Sequence, residues 1–160
     1  MELADEKKIK VLFLDVDGCL NLLKSGGLYA LNKKRLRILE DIIKDTGAVI
    51  ILSSTWRKDN TAFRKLTRAL AYRGLKIEGV TPDFSYQPQK PLERAYRGHE
   101  IQDWLDHHPE VENYVIVDDD SDMLDSQLRH FVQTDPNTGL TETLAYRIKY
   151  KLNNGPGYIE

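Results

Sequence analysis

The sequence predicts a three-layer α/β fold, in which helices cover both faces of a parallel sheet of about five strands. Short, β-branched apolar runs alternate along the chain with segments whose apolar residues recur at helical spacing. The apolar runs are continuous, as is typical of parallel strands that are buried on both faces. A chain of 160 residues that is 41% hydrophobic is long enough to bury one core.

Five apolar runs are predicted as strands because they are too short and too rich in β-branched residues for helices. They lie at 11–14, 48–52, 75–80, 114–117 and 131–132. Helical spacing is found in the segments between and after them, at residues 36–43, 63–70, 101–105, 124–128 and 144–152. Asn32 and Thr141 are suited to cap the first and last of these helices, and Gly47 lies just beyond the end of the first.

The domain organisation predicted from these elements is a single domain over residues 1–152. Residues 82–91 form a loop by composition, because Pro82, Pro88 and Pro91 occur within ten residues. Residues 153–160 contain Gly-Pro-Gly and are predicted to be a flexible C-terminal tail.

Composition excludes several classes of protein. No apolar run approaches the roughly 20 residues of a membrane helix, and the acidic start is unlike a signal peptide, so we expect a cytoplasmic protein with no membrane partner. The only cysteine, Cys19, excludes a disulfide framework within the chain and a cysteine-rich zinc site. We expect it to be a packing thiol, with oxidation as the alternative.

The net charge of -2 conceals an uneven distribution of charge. Residues 57–73 contain six Lys or Arg and one acid, whereas residues 100–125 contain ten acids and no Lys or Arg. The basic segment is either an ordinary solvated helix face or a docking surface for a phosphate-rich polyanion.

Carboxylates follow two of the predicted strands. Asp15 and Asp17 come directly after the first strand, and Gly18 allows a sharp turn there. The fourth strand is followed by a second cluster, which consists of Asp118, Asp119, Asp120 and Asp122. Unit charges about 4 Å apart repel by about 4 kcal/mol at a protein-like dielectric, so converging carboxylates need a cation. An all-oxygen site without His or Cys favours Mg²⁺ over Ca²⁺.

Four elements of the chain occur in the order of the four motifs of the haloacid dehalogenase (HAD) superfamily, which the chain resembles. They are the Asp15 cluster, Ser53-Ser54 after the second strand, Arg97 before the third helix, and the Asp118 cluster. The runs Ser-Ser-Thr-Trp-Arg, Arg-Gly-His-Glu-Ile, Asp-Asp-Asp-Ser-Asp-Met and Thr-Asp-Pro-Asn-Thr-Gly-Leu-Thr are similar to the HAD domains of Swiss-army-knife RNA-repair proteins.

This resemblance implies a Rossmann-like sheet in the order 3-2-1-4-5, with Asp15 and Asp119 facing each other where the strand order reverses. It implies that Asp15 is the nucleophile that forms an aspartyl phosphate and that Asp17 is the general acid and base. Many relatives carry a cap domain over the site. Here the segments 21–47 and 58–96 are too short for a full cap, so we expect an open site.

The remaining site residues also follow from the resemblance. Mg²⁺ is expected at Asp15, Asp17, Asp118, Asp119 and Asp122. Ser53 or Ser54 would hold a phosphoryl oxygen, with a helix cap as the alternative role, and the sequence does not decide between the two serines. The basic residue of the third motif is Arg97, Arg94 or Lys90. Gly18 and Ser54 are expected substrate-binding residues. Arg57 and Lys58 are added to them because they begin the basic segment a few residues after the two serines. Trp56 either packs in the core or stacks on a base.

The function implied is a Mg²⁺-dependent phosphomonoester hydrolase, an HAD-type phosphatase. An uncapped site and the basic segment favour the terminal phosphate of a nucleotide or polynucleotide as substrate. Two alternatives stay open: a phosphatase for a small metabolite or phosphoprotein, and a noncatalytic module that binds metal or nucleic acid. The presence of Asp17 argues against the noncatalytic alternative, since HAD phosphotransferases need this second acid. The sequence does not indicate an oligomeric state.

Overall fold

The structure is a computed structural model that describes residues 7–24, 27–85 and 96–157. Its centre is a sheet of five parallel strands in the order β3-β2-β1-β4-β5, which confirms the predicted fold class and strand order. The strands are β1 Ile9–Leu14, β2 Val49–Leu52, β3 Ile77–Val80, β4 Val111–Asp118 and β5 Phe131–Gln133.

Four α-helices connect or follow the strands: α1 Lys33–Thr46, α2 Asn60–Tyr72, α3 Tyr96–Asp106 and α4 Glu142–Asn154. Two further segments, Thr55–Lys58 and Asp125–His130, are 3₁₀ helices, so the helix predicted at 124–128 is of the tighter type. α4 includes Asn153 and Asn154, the first two residues of the segment predicted as a tail. None of the described helices is long and apolar enough to cross a bilayer.

The predicted helix ends are confirmed at three positions. The Asn32 side chain accepts a hydrogen bond from the Arg35 amide at 3.1 Å, and Gly47 ends α1 in the left-handed conformation with φ 70°. Thr141 caps α4 by accepting from the Leu144 amide at 3.2 Å. These short-range signals therefore mark both ends of α1 and the beginning of α4.

Alternate residues of the strands divide the core into two layers. Leu12 and Leu14 of β1 pack in the larger layer, together with the apolar faces of α1, α2 and α4. Val11 and Phe13 point to the opposite face and pack with Ile101 of α3. The central strands are thus buried on both faces, and the ends of β1 and β4 lie side by side at one edge of the sheet.

Candidate active site

The loop after β1 carries the first two carboxylates in different environments. The Asp15 amide still donates to the Val117 carbonyl of β4 at 3.0 Å, so Asp15 continues the strand pairing and is only 7% exposed. Asp17 lies beyond the end of the strand and is exposed. Gly18 follows at φ 82°, a conformation that residues with a Cβ rarely adopt.

Three carboxylates converge where β1 and β4 end. One oxygen from each of Asp15, Asp118 and Asp119 lies within 4.8 Å of the other two, and Asp15 and Asp118 are buried. All the donors are carboxylate oxygens, and a hard divalent cation such as Mg²⁺ prefers such a set. The cluster therefore fits a metal ion by its chemistry as well as by its spacing.

Burial and mutual repulsion disfavour the charged forms of two of these carboxylates. Burial raises the pKa of Asp15 well above its usual value, and the neighbouring Asp118 raises it further. Burial also raises the pKa of Asp118 to about 7, in spite of the opposing effects of the Asp120 amide and Arg97. A cation in this cluster would relieve the repulsion and favour the ionised carboxylates.

Gly18 also explains how Asp119 reaches the cluster. A Cβ at position 18 would lie 2.5 Å from the Asp119 Cγ and 2.5 Å from its Oδ2. The Asp119 side chain thus packs directly on the Gly18 backbone. Any side chain at position 18 would have to displace the carboxylate, in addition to adopting a positive φ.

Arg97 brings a positive charge to the edge of the cluster. Its Nε lies 3.6 Å from Asp118 Oδ2, and its positive charge partly offsets the rise that burial causes in the pKa of Asp15. The Arg97 amide donates to Asp122 Oδ2 at 3.2 Å, so Asp122 holds the start of α3 and does not join the three-carboxylate cluster. Lys90 and Arg94, the other candidates for the third motif, lie outside the described residues.

The two serines after β2 have different environments. The Ser54 hydroxyl accepts from the Trp56 amide at 3.2 Å and caps the 3₁₀ helix Thr55–Lys58. Ser53 is 2% exposed, and its amide donates to the Leu14 carbonyl at 2.8 Å, beside the start of the Asp15 loop. Within the described part of the chain, the Ser53 hydroxyl has no hydrogen-bond partner.

Asp17 is held by two side-chain donors. The Trp56 indole Nε1 and the Asn21 Nδ2 each donate to Asp17 Oδ1 at 3.0 Å. Trp56 is 2% exposed and packs in the main core, which favours core packing over base stacking. The Asp17 side chain is not part of the three-carboxylate cluster.

The Arg57 side chain is held by contacts within the protein. Its guanidinium donates to the Ser54 and Pro82 carbonyls and forms an ion pair with Glu100 at 3.0 Å. The Arg57 side chain is only 5% exposed, and burial lowers its pKa. Glu100 also accepts from the Phe84 amide at 2.9 Å, so the pair joins the 3₁₀ helix after β2, the segment after β3, and α3.

Lys58 lies at the rim of a small cavity beside Arg97. Its ammonium is 3.2 Å from Asp83 Oδ2, and the side chain is 36% exposed. The cavity has a volume of about 180 Å³ and contains both donors and acceptors. It is lined by Thr55, Arg57, Lys58, Asp83, Ser85, Arg97, Glu100 and Asp122.

Several residues at the site were not singled out by the sequence. No role was predicted for Glu100, which lies in the acidic segment and in the run Arg-Gly-His-Glu-Ile, although it is 5% exposed and pairs with Arg57. Asn21 gave no signal in the sequence. The Thr134 hydroxyl donates to the Gly18 carbonyl at 2.8 Å and contacts the buried Cys19 thiol at 3.3 Å. Burial raises the pKa of Cys19, which supports packing over oxidation.

Comparison with known families identifies the chain. The model of the HAD domain in Swiss Army Knife RNA repair proteins matches residues 11–145, a range that contains all the carboxylates described above. The chain belongs to this family of HAD domains. A search of curated proteins found no significant match. Membership indicates a phosphatase-type hydrolase that typically uses a divalent metal, and the acidic cluster of this HAD domain agrees with that class.

Proposed function

We propose that this HAD domain is a Mg²⁺-dependent phosphomonoester hydrolase that forms an aspartyl phosphate on Asp15. The observation that carries the proposal is the convergence of Asp15, Asp118 and Asp119 at the end of β1 and β4, with Arg97 beside them. The cluster lies where the strand order reverses, since β2 and β4 flank β1 on opposite sides. Open α/β sheets bind ligands at such a point.

The reaction has two steps at Asp15. In the first, a carboxylate oxygen of Asp15 forms a bond to phosphorus, the bond between phosphorus and the leaving oxygen breaks, and Asp17 gives that oxygen a proton. In the second, water attacks the phosphorus and gives a proton to Asp17. The bond to Asp15 breaks, which releases inorganic phosphate and restores both carboxyl groups.

Asp15, Asp118 and Asp119 would hold the Mg²⁺ ion, and the bound ion would offset the negative charge of the phosphoryl group. Arg97 supplies further positive charge from the side of Asp118. The Ser53 hydroxyl, which is buried and has no partner among the described residues, is a suitable donor to a phosphoryl oxygen. Ser54 is assigned instead to the cap of the 3₁₀ helix, because its hydroxyl oxygen accepts from the Trp56 backbone amide.

The proposed substrate is the terminal phosphate of a nucleotide or polynucleotide. Its support is the family, whose description names RNA repair proteins, together with the short connections between the described strands around the site. Among the described residues, the segments from β1 to β3 contain only α1, α2 and one 3₁₀ helix besides the strands. Such a site leaves room for a long substrate, whereas a cap would enclose a small one.

The chemistry is tested by hydrolysis of an aryl phosphate with and without Mg²⁺. We expect turnover that stops in chelator and is abolished by Asp15→Asn, because the variant keeps the shape of the side chain but lacks the nucleophile. Circular dichroism would check that the variant is folded. Turnover that is unaffected by chelator, or that persists in Asp15→Asn, would refute the assigned site.

The substrate class is tested by charge reversal on α2, where Arg64 and Lys65 are exposed. We expect the Arg64→Glu/Lys65→Glu variant to bind a 5′- or 3′-phosphorylated oligonucleotide more weakly and with a flatter salt dependence. The slope should fall by about 0.7 per lost contact to single-stranded phosphate.

The matched control is Lys7→Glu/Lys8→Glu, which makes the same charge change at exposed residues just before β1. These residues lie at the amino end of the strand, whereas the carboxylate cluster lies at the carboxyl end. Hydrolysis of the aryl phosphate should survive in both variants. Equal binding and equal salt slopes for both would favour a small metabolite or phosphoprotein as the substrate.

A further inference from the structure

Two N–H donors converge on one oxygen of an exposed carboxylate. Asp17 is exposed, yet its Oδ1 accepts from the Trp56 indole N–H and from the side-chain amide of Asn21, each at 3.0 Å. Within the described residues, no donor reaches the other oxygen, Oδ2. The two oxygens of this carboxyl group therefore differ, because two N–H donors hold Oδ1 and, within the described residues, none holds Oδ2.

The Trp56 donor is held firmly in place. Trp56 is 2% exposed and lies in the 3₁₀ helix that Ser54 caps. The ring of Tyr29 contacts it edge-on, with the ring centroids 5.3 Å apart, and the Tyr29 hydroxyl donates to Asp59, the cap of α2. The direction of the indole N–H group is thus fixed by core packing around the ring and by its contact with Tyr29.

We propose that Trp56 and Asn21 are positioning residues that aim Asp17 Oδ2 at the leaving oxygen of the substrate. This inference rests on the proposed function, in which Asp17 first donates a proton to that oxygen and then removes one from water. An oxygen that already accepts two N–H bonds is a poor place for the catalytic proton, which leaves Oδ2 as the oxygen that would exchange it with the substrate. Neither Trp56 nor Asn21 needs to touch the substrate for this effect.

A purely structural explanation must be distinguished from this one. A buried indole N–H needs an acceptor, and Asp17 would satisfy it even if Asp17 had no part in catalysis. The two explanations differ in how the rate depends on the leaving group. A misaligned general acid slows the release of a poor leaving group far more than that of a good one, which departs without a proton.

The experiment measures kcat/KM of the Mg²⁺-loaded enzyme for two substrates, 2,4-dinitrophenyl phosphate and an alkyl phosphate. This constant reports the step that expels the leaving group. For Trp56→Phe we expect kcat/KM to fall about tenfold or more with the alkyl phosphate and less than about threefold with the dinitrophenyl ester. The larger loss is part of the 10²- to 10⁴-fold acceleration that a general acid contributes.

The matched control is Trp104→Phe, which changes the only other tryptophan. Trp104 packs against Phe13 and His108 in the smaller core layer, away from Asp17. We expect this variant to show the same small change with both substrates. Asn21→Ala removes the second donor from a partly exposed position and should reproduce the leaving-group dependence if Trp56→Phe does not fold.

A second readout is the combination with Asp17→Asn. If Trp56 acts through Asp17, the loss caused by Trp56→Phe on the alkyl phosphate should shrink to less than about twofold when Asp17 is already replaced, because coupled residues are not additive. An equal loss for both substrates, or full additivity with Asp17→Asn, would overturn the inference. Inactivity of the unmodified enzyme on both esters would instead overturn the proposed function.

Discussion

The contact between Gly18 and Asp119 makes Gly18→Ala an informative perturbation. The new Cβ would lie 2.5 Å from the Asp119 Cγ, whereas carbon atoms in contact are about 3.5 Å apart or more, so the carboxylate must move by about 1 Å. That movement displaces Asp119 from its position beside Asp15 and Asp118. We therefore expect a large loss of Mg²⁺ affinity as well as a loss of stability.

A second glycine separates backbone strain from this displacement. Gly47 at the end of α1 has φ 70°, close to the 82° of Gly18, but an added Cβ there meets nothing within 4 Å. Gly47→Ala should therefore cost only the left-handed strain of about 1–2 kcal/mol, which lowers the melting temperature of a domain of this size by roughly 2–8 °C. Gly18→Ala should cost this amount together with the effect of the clash.

The assays are urea denaturation in chelator and aryl phosphate hydrolysis over a range of Mg²⁺ concentrations. We expect Gly47→Ala to keep the Mg²⁺ dependence of the unmodified protein, and Gly18→Ala to need at least about tenfold more Mg²⁺, in line with the 10- to 100-fold effect of changes around metal ligands. If both variants lose similar stability and keep the same Mg²⁺ dependence, Gly18 serves only the turn and does not position Asp119.

Two further predictions concern Ser53, Ser54 and Asp118. Ser53→Ala should lower kcat by about 10²-fold with little effect on stability, whereas Ser54→Ala should cost about 1 kcal/mol in urea denaturation as a lost cap; the reverse pattern would exchange their roles. The raised pKa of Asp118 predicts that the metal-free protein loses stability as the pH rises from about 4, the unfolded value, to about 7. The sign follows because the folded state binds more protons than the unfolded state in this interval. Denaturation in chelator at several pH values should show a flatter dependence for Asp118→Asn, and identical slopes would contradict the assignment.

The fold was predictable because its signals are local. Continuous apolar runs identified the buried strands, and Asn32, Gly47 and Thr141 marked helix ends through contacts within four residues. The strand order came from the family resemblance, because apolar runs alone do not say which strands are neighbours. The short 3₁₀ helix at Asp125–His130 has the same apolar spacing as one turn of α-helix, so the sequence did not distinguish the two.

The candidate site was predictable only in part. The carboxylates after β1 and β4 were visible because strand ends at one edge of a parallel sheet converge. The roles of Ser53 and Ser54 were not, since the choice depends on which hydroxyl caps the next helix. The partners of Asp17 and Arg57 were also hidden, because Trp56 and Glu100 are 39 and 43 residues away from them and pair through tertiary packing.

The partner of Arg57 changes how the basic segment must be understood. A row of cations in a sequence suggests a surface for polyanions, but Arg57 is buried against Glu100 and links the 3₁₀ helix after β2 to α3. Removing one partner of a buried ion pair leaves an uncompensated charge and typically costs about 3–5 kcal/mol. A charge reversal at Arg57 would therefore disrupt the fold near Arg97 as well as any bound phosphate, and its effect on nucleic-acid binding would be uninterpretable. The exposed Arg64 and Lys65 are the informative positions, because they are not among the residues described at the active site and their substitution should leave that site intact.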